Sequence, residues 1–104
     1  MILTVHVTAD HIAQGKPNQC RYCPVALALL EVFPRTDVQV APTVFWVAPP
    51  AELTEMFRIE MPDEVTVLIR RIDAAKSSVQ PFDFEITVPE ALVPYLNPSL
   101  GITQ

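Results

Sequence analysis

The sequence predicts a single α+β domain spanning residues 1–104. The expected architecture is a mostly antiparallel sheet of about four to five strands, packed against a buried helix at about 24–33 and an amphipathic helix at about 62–76. Three observations predict it. The length of 104 residues suits one domain and is short for two. Half the residues are hydrophobic and only 18% are charged, a composition that can fill a core and argues against disorder. Strand-type alternation and helix-type spacing both occur, in separate stretches divided by prolines, of which there are eleven against two glycines.

Ile2–Val7 alternates Leu3, Val5 and Val7 against Ile2, Thr4 and His6. Both sets contain apolar residues, so this strand is expected to be central. Thr8 is an N-cap residue, Asp10 sits in the first turn, and Gly15 can close the end, which predicts a short helix over Ala9–Gln14. A turn follows at residues 16–19. Pro24 suits the first position of the next helix, because it has no N–H to leave unpaired. From Val25 to Phe33 the sequence is apolar on every face except at Glu31, so this helix is buried on most sides, and Pro34 stops it.

Asp37–Val40 and residues 43–47 read as two short strands rich in Val, Phe and Trp. Residues 53–60 carry two competing signals. Pro49 and Pro50 before Glu52 and Glu55 suit a helix start, whereas the alternation toward Ile59 suits an edge strand, which is the reading favoured. In the amphipathic helix, Val65, Leu68, Ile69, Ile72 and Ala75 form one apolar stripe, with acids at its start and Arg70, Arg71 and Lys76 toward its end. Residues 82–88 alternate Phe82, Phe84, Ile86 and Val88 against Asp83, Glu85 and Thr87, the pattern of a half-buried strand. A short terminal helix is expected over residues 89–96.

The stretch His11-Ile12-x-x-Gly15, followed by Cys23-Pro-Val-Ala-Leu-Ala28, resembles a group of small uncharacterised proteins found in bacteriophage and actinobacterial genomes. In that group a short helix leads into a Cys-Pro-Val-Ala-Leu-Ala helix. The segment Ile69-Arg-Arg-Ile-Asp73 through Pro81-Phe82-Asp-Phe84 is similar to the group's closing helix and strand. The two stretches cover roughly half the chain, and residues 41–61 lie outside them. The resemblance implies a phage-type accessory protein working in the host cell cytosol. It brings no assigned activity and no catalytic residues.

Charge narrows the function classes. A net charge of −5 gains no counterion-release affinity for a phosphate backbone, so direct nucleic-acid binding is not expected. No run approaches the roughly 18–20 apolar residues of a membrane helix, and the start has the alternation of a strand without the positive n-region of a signal peptide. A cytoplasmic setting with reduced thiols is the expectation. Two glycines cannot build a phosphate-binding loop, and no serine lies near a base.

Cys20-Arg-Tyr-Cys23 is the sharpest chemical candidate. As a redox pair it would use helix N–H groups and Arg21 to favour a thiolate, although no βαβ unit places it as thioredoxin-like folds do. As a metal site, Cys20 and Cys23 supply two zinc ligands and His6 and His11 could complete the set; these four are all the His and Cys of the chain. Against both stands a structural reading in which Cys23 is a small buried residue beside its helix and Cys20 a loop residue. His11 likewise suits a turn or a bond to a neighbouring backbone group, and His6 a cross-strand surface position. The pairs Asp63-Glu64 and Asp83/Glu85 are explained by helix-start electrostatics and by strand alternation.

With no catalytic constellation, the expected function is that of a non-enzymatic accessory or interaction protein. It would bind a host protein, pair with a second copy of itself, or sequester a small ligand. No cofactor is expected under that reading. The alternatives are a Cys/His zinc-stabilised domain and a CxxC thiol protein. Trp46 and Tyr22, with the adjacent Arg70 and Arg71, are the candidate interaction surface, since one of Phe45 and Trp46 must point outward from a strand.

Overall fold

Local signals act where they are strongest, at the helix starts. The computed structural model describes residues 1–50 and 56–100. Its elements in chain order are β1 (Ile2–Val7), α1 (Ala9–Gln14), α2 (Pro24–Val32), β2 (Asp37–Val40), β3 (Val44–Ala48), β4 (Phe57–Glu60), α3 (Asp63–Ala75) and β5 (Phe82–Thr87). Short 3-10 turns occupy Lys76–Ser78, Glu90–Tyr95 and Pro98–Leu100. The α+β class is as expected. Of the stretch with competing signals, Phe57–Glu60 is a strand and residues 51–55 lie outside the described residues.

The strands form two antiparallel sheets where one was expected: a pair, β1-β5, and a triplet, β2-β3-β4. In the pair, Leu3 faces Ile86, Val5 faces Phe84 and His6 faces Asp83. In the triplet, Phe45 lies between Val40 and Ile59, and Trp46 between Gln39 and Arg58. Among the described residues β1 pairs with β5 alone, so it is an edge strand and not a central one. The apolar residue that suggested a central strand, Ile2, sits at its end and is exposed.

The inner faces of both sheets and the apolar sides of the helices share one core. Phe33, Phe45, Leu29, Ile72 and Leu92 are its largest fully buried side chains. Apolar except at Glu31, α2 packs against α1, β1 and β2, which explains why it needs no wider polar face. Of the expected stripe on α3, Val65, Ile69 and Ile72 are buried, Leu68 is half-buried and Ala75, at the end of the helix, is exposed, as are Arg70 and Arg71. Each fully buried aliphatic or aromatic side chain contributes roughly 1.5–3 kcal/mol of transfer free energy.

Two sequence expectations need a different physical account. Gly15 ends α1 in an extended conformation (φ −68°), not a left-handed one, so its role is not that of a left-handed cap. The expected terminal helix at 89–96 is a 3-10 segment, because Pro94 lies inside it and lacks the N–H an α-helix would use. Tertiary bonds complete the helix ends. Lys76 Nζ donates to the carbonyls of Ala13 (2.9 Å) and Gly15 (3.0 Å) at the end of α1. Asn97 donates its main-chain N–H to Val32 O (2.9 Å) and its side chain to Glu31 O (3.0 Å) at the end of α2.

Candidate functional site

The CxxC segment is built into the start of α2. Cys23 is the N-cap, and its Sγ accepts from the Ala26 N–H at 3.4 Å. It is buried, and burial pushes its thiol up; the N–H groups of Ala26 and Val25 act in the opposite direction but less strongly. A buried thiol pushed up is a poor nucleophile at neutral pH. Cys20 is exposed, and its carbonyl accepts from Val40 N–H at 2.8 Å, tying the loop to β2. Neither cysteine is in a disulfide. Both line a cleft of about 340 Å³ together with Asn18 and Asp73. Arg21 does not face the thiols: it forms a two-pronged pair with Asp37 at 3.1 and 3.2 Å, whose hydrogen bond holds the Asp37 carboxyl below the usual carboxylate range.

The two histidines have separate partners. His11 completes a capping box: His11 N–H donates to Thr8 Oγ1 (3.3 Å), and Thr8 N–H donates to His11 Nδ1 (3.0 Å). Because Nδ1 is an acceptor, the ring proton of the neutral imidazole lies on Nε2, which donates to Glu31 Oε1 at 2.6 Å. The buried ring therefore joins α1 to α2. His6 is exposed on β1 and pairs across the strands with Asp83 at 2.7 Å. Among the described residues no three His, Cys, Asp or Glu side chains gather as a metal-binding group.

Trp46 is half-buried on the outer face of the triplet and Phe45 is buried, the division that strand alternation requires. Tyr22 is exposed within the CxxC turn, while Arg70 and Arg71 lie on α3. These four fall in three separate parts of the chain, with Trp46 alone on a sheet and only Arg70 and Arg71 sharing an element.

A site of another kind lies between the two sheets. A groove of about 430 Å³ is lined by residues 58–62 on one wall and by 85–87 and Pro89 on the other. Consecutive residues of a strand point to opposite faces, so a groove touched by Arg58, Ile59 and Glu60 alike runs along the strand edge. The register says which backbone groups face it. Met61 N–H donates to Thr43 O (3.0 Å), so Phe45–Ile59 is the next hydrogen-bonded pair, and Arg58 and Glu60 occupy non-bonded positions opposite Trp46 and Val44. Val88 N–H donates to Met1 O (2.7 Å), which by the same alternation leaves Glu85 and Thr87 at non-bonded positions on β5.

The N–H and C=O groups of these four residues thus point away from their own sheets toward the groove. Among the described residues none of these main-chain groups has a hydrogen-bond partner. Ile59, Met61 and Ile86 form a buried apolar floor, and Arg58, Glu60, Glu85 and Thr87 have exposed side chains. Sequence reasoning missed this site because main-chain groups carry it. The alternation at 82–88 located one wall, but no residue type announces that β4 and β5 flank a gap.

No family model, curated protein or solved structure matches this chain.

Proposed function

We propose that the protein is a non-enzymatic interaction module that docks a partner chain in the groove between β4 and β5. One observation carries this reading: two strand edges whose N–H and C=O groups have no partner among the described residues line the same groove above an apolar floor. Unpaired edges are templates for strand addition, and natural folds usually cover or charge them. Main-chain bonds along both walls would give affinity, and the floor would give shape. The resemblance to phage and actinobacterial proteins supplies the setting, that of a cytoplasmic accessory factor whose partner is a host protein.

A photoactivatable residue replacing Thr87, at the groove, and another replacing Val67, on the exposed face of α3, test the docking site in an actinobacterial lysate. The reading expects one discrete cross-linked polypeptide from position 87 and none in common with position 67. The same band from both positions, or none from 87, would count against it.

A further inference from the structure

We infer that the groove takes a basic, extended segment of a partner protein as an added strand, with alternate apolar side chains on the floor and lysine or arginine on the rim. This rests on the docking function proposed above and gives its partner a chemistry. The strand form follows from the walls. Arg58 and Glu60 on β4, and Glu85 and Thr87 on β5, offer N–H and C=O groups at every second residue, the period of a strand. A helix satisfies its own backbone and would leave both walls unpaired.

The alternation of the occupant follows from the two faces. Its inward side chains meet Ile59, Met61 and Ile86, which form one apolar surface with the core. Its outward side chains meet the rim. There Arg58 is already engaged by Glu60, 3.5 Å away, whereas Glu85 has no ionic partner among the described residues. The rim is therefore net acidic, on a chain of net charge −5, so a cationic side chain suits it and a carboxylate is repelled. A second copy of this chain fits less well. The remaining edge of its triplet, β2, begins at Asp37 and carries no basic residue.

Joining the two sheets through the added strand would place β2, β3, β4, the guest, β5 and β1 in one sheet. No covalent step is involved.

The test uses the full chain and three capped synthetic heptapeptides: alternating valine and lysine, alternating valine and glutamate, and the valine–lysine peptide N-methylated at alternate residues. Binding is followed by titration calorimetry, and amide exchange is read at Arg58, Glu60, Glu85 and Thr87. The expected result is that the valine–lysine peptide binds one to one and slows those four amides by about tenfold or more. The valine–glutamate peptide should bind about tenfold more weakly, a difference of about 1.4 kcal/mol, and Glu85→Lys should reverse the order.

Equal or tighter binding of the glutamate peptide, with the four amides protected, would overturn the basic partner and keep the docking groove. The same holds if the four amides are already slow in the free protein at dimer mass, which would make the occupant a second copy. No change at these amides with any peptide, or equal protection by the N-methylated one, would overturn both the partner chemistry and the docking site.

Discussion

Gly15 and Pro24 lie so close that a Cβ placed on Gly15 would stand 2.5 Å from both the backbone nitrogen and Cδ of Pro24. The atoms it would meet belong to a rigid ring at the first turn of α2, which packs into the core and cannot swing aside. Gly15→Ala should therefore force α1 and α2 apart and cost about 1–3 kcal/mol, as overpacking does. Urea denaturation checks this: the midpoint should fall while the slope stays the same. An unchanged midpoint would mean that the joint is loose.

The joint also carries a hydrogen bond, between His11 and Glu31. His11→Ala removes the acceptor for Thr8 N–H and leaves space beneath α1, so it should cost about 1–3 kcal/mol. His11→Gln keeps a side chain able to complete a capping box at the same position and should lose less than alanine does. Glu31 is two-thirds exposed, so Glu31→Ala should lower stability by less than about 1 kcal/mol. Chemical denaturation of the three variants should rank them alanine at 11 first, with the other two well behind. Equal losses for His11→Ala and His11→Gln would mean that packing of the ring, and not the capping bond, holds the position.

These contacts explain what was legible in the sequence and what was not. Thr8, Pro24 and the apolar stripe of α3 act on their own helices within one or two turns, so local pattern reveals them. His11 and Gly15 stand out as residues in a motif, but their roles depend on α2 arriving against α1, which no spacing encodes. Cys23 shows the ambiguity of residue type: a cysteine before a proline-led helix suits a cap, a ligand or a nucleophile, and burial decides among the microenvironments. The groove was illegible for a stronger reason. Its walls are backbone, and whether β4 and β5 pair or stand apart is a matter of sheet order.

Lys76 tests how far the 3-10 turn after α3 contributes to the same joint. Its ammonium donates to the carbonyls of Ala13 and Gly15, at the C-terminal end of α1 where a cation suits the helix dipole. Lys76→Met keeps the length of the aliphatic stem and removes both bonds. The expected loss is about 1 kcal/mol, with amide exchange speeding up across α1 and not in the β2-β3-β4 sheet. A uniform increase in exchange would show that α1 opens only with the whole molecule.

Cys23 gives the prediction that separates a structural thiol from a chemical one. Its folded thiol is pushed up by burial, above the value it has in the unfolded chain. A group raised on folding contributes stability that is complete below the unfolded value, about pH 8.5 for a thiol, and is lost as pH rises through the folded value. Stability should therefore decline on the alkaline side, and Cys23→Ser should remove that part of the decline. Serine also supplies a capping oxygen for Ala26 N–H, so the variant should stay within about 1 kcal/mol of the parent at neutral pH, whereas Cys23→Val, which has no acceptor, should lose about 1 kcal/mol. In the native protein iodoacetamide should label the exposed Cys20 and spare Cys23 until denaturant is added. Elemental analysis of the same samples closes the argument. Stoichiometric zinc in the parent, lost together with the fold in Cys23→Ser, would make the CxxC turn a metal site; a folded serine variant with an unlabelled parent Cys23 makes the thiol a helix cap.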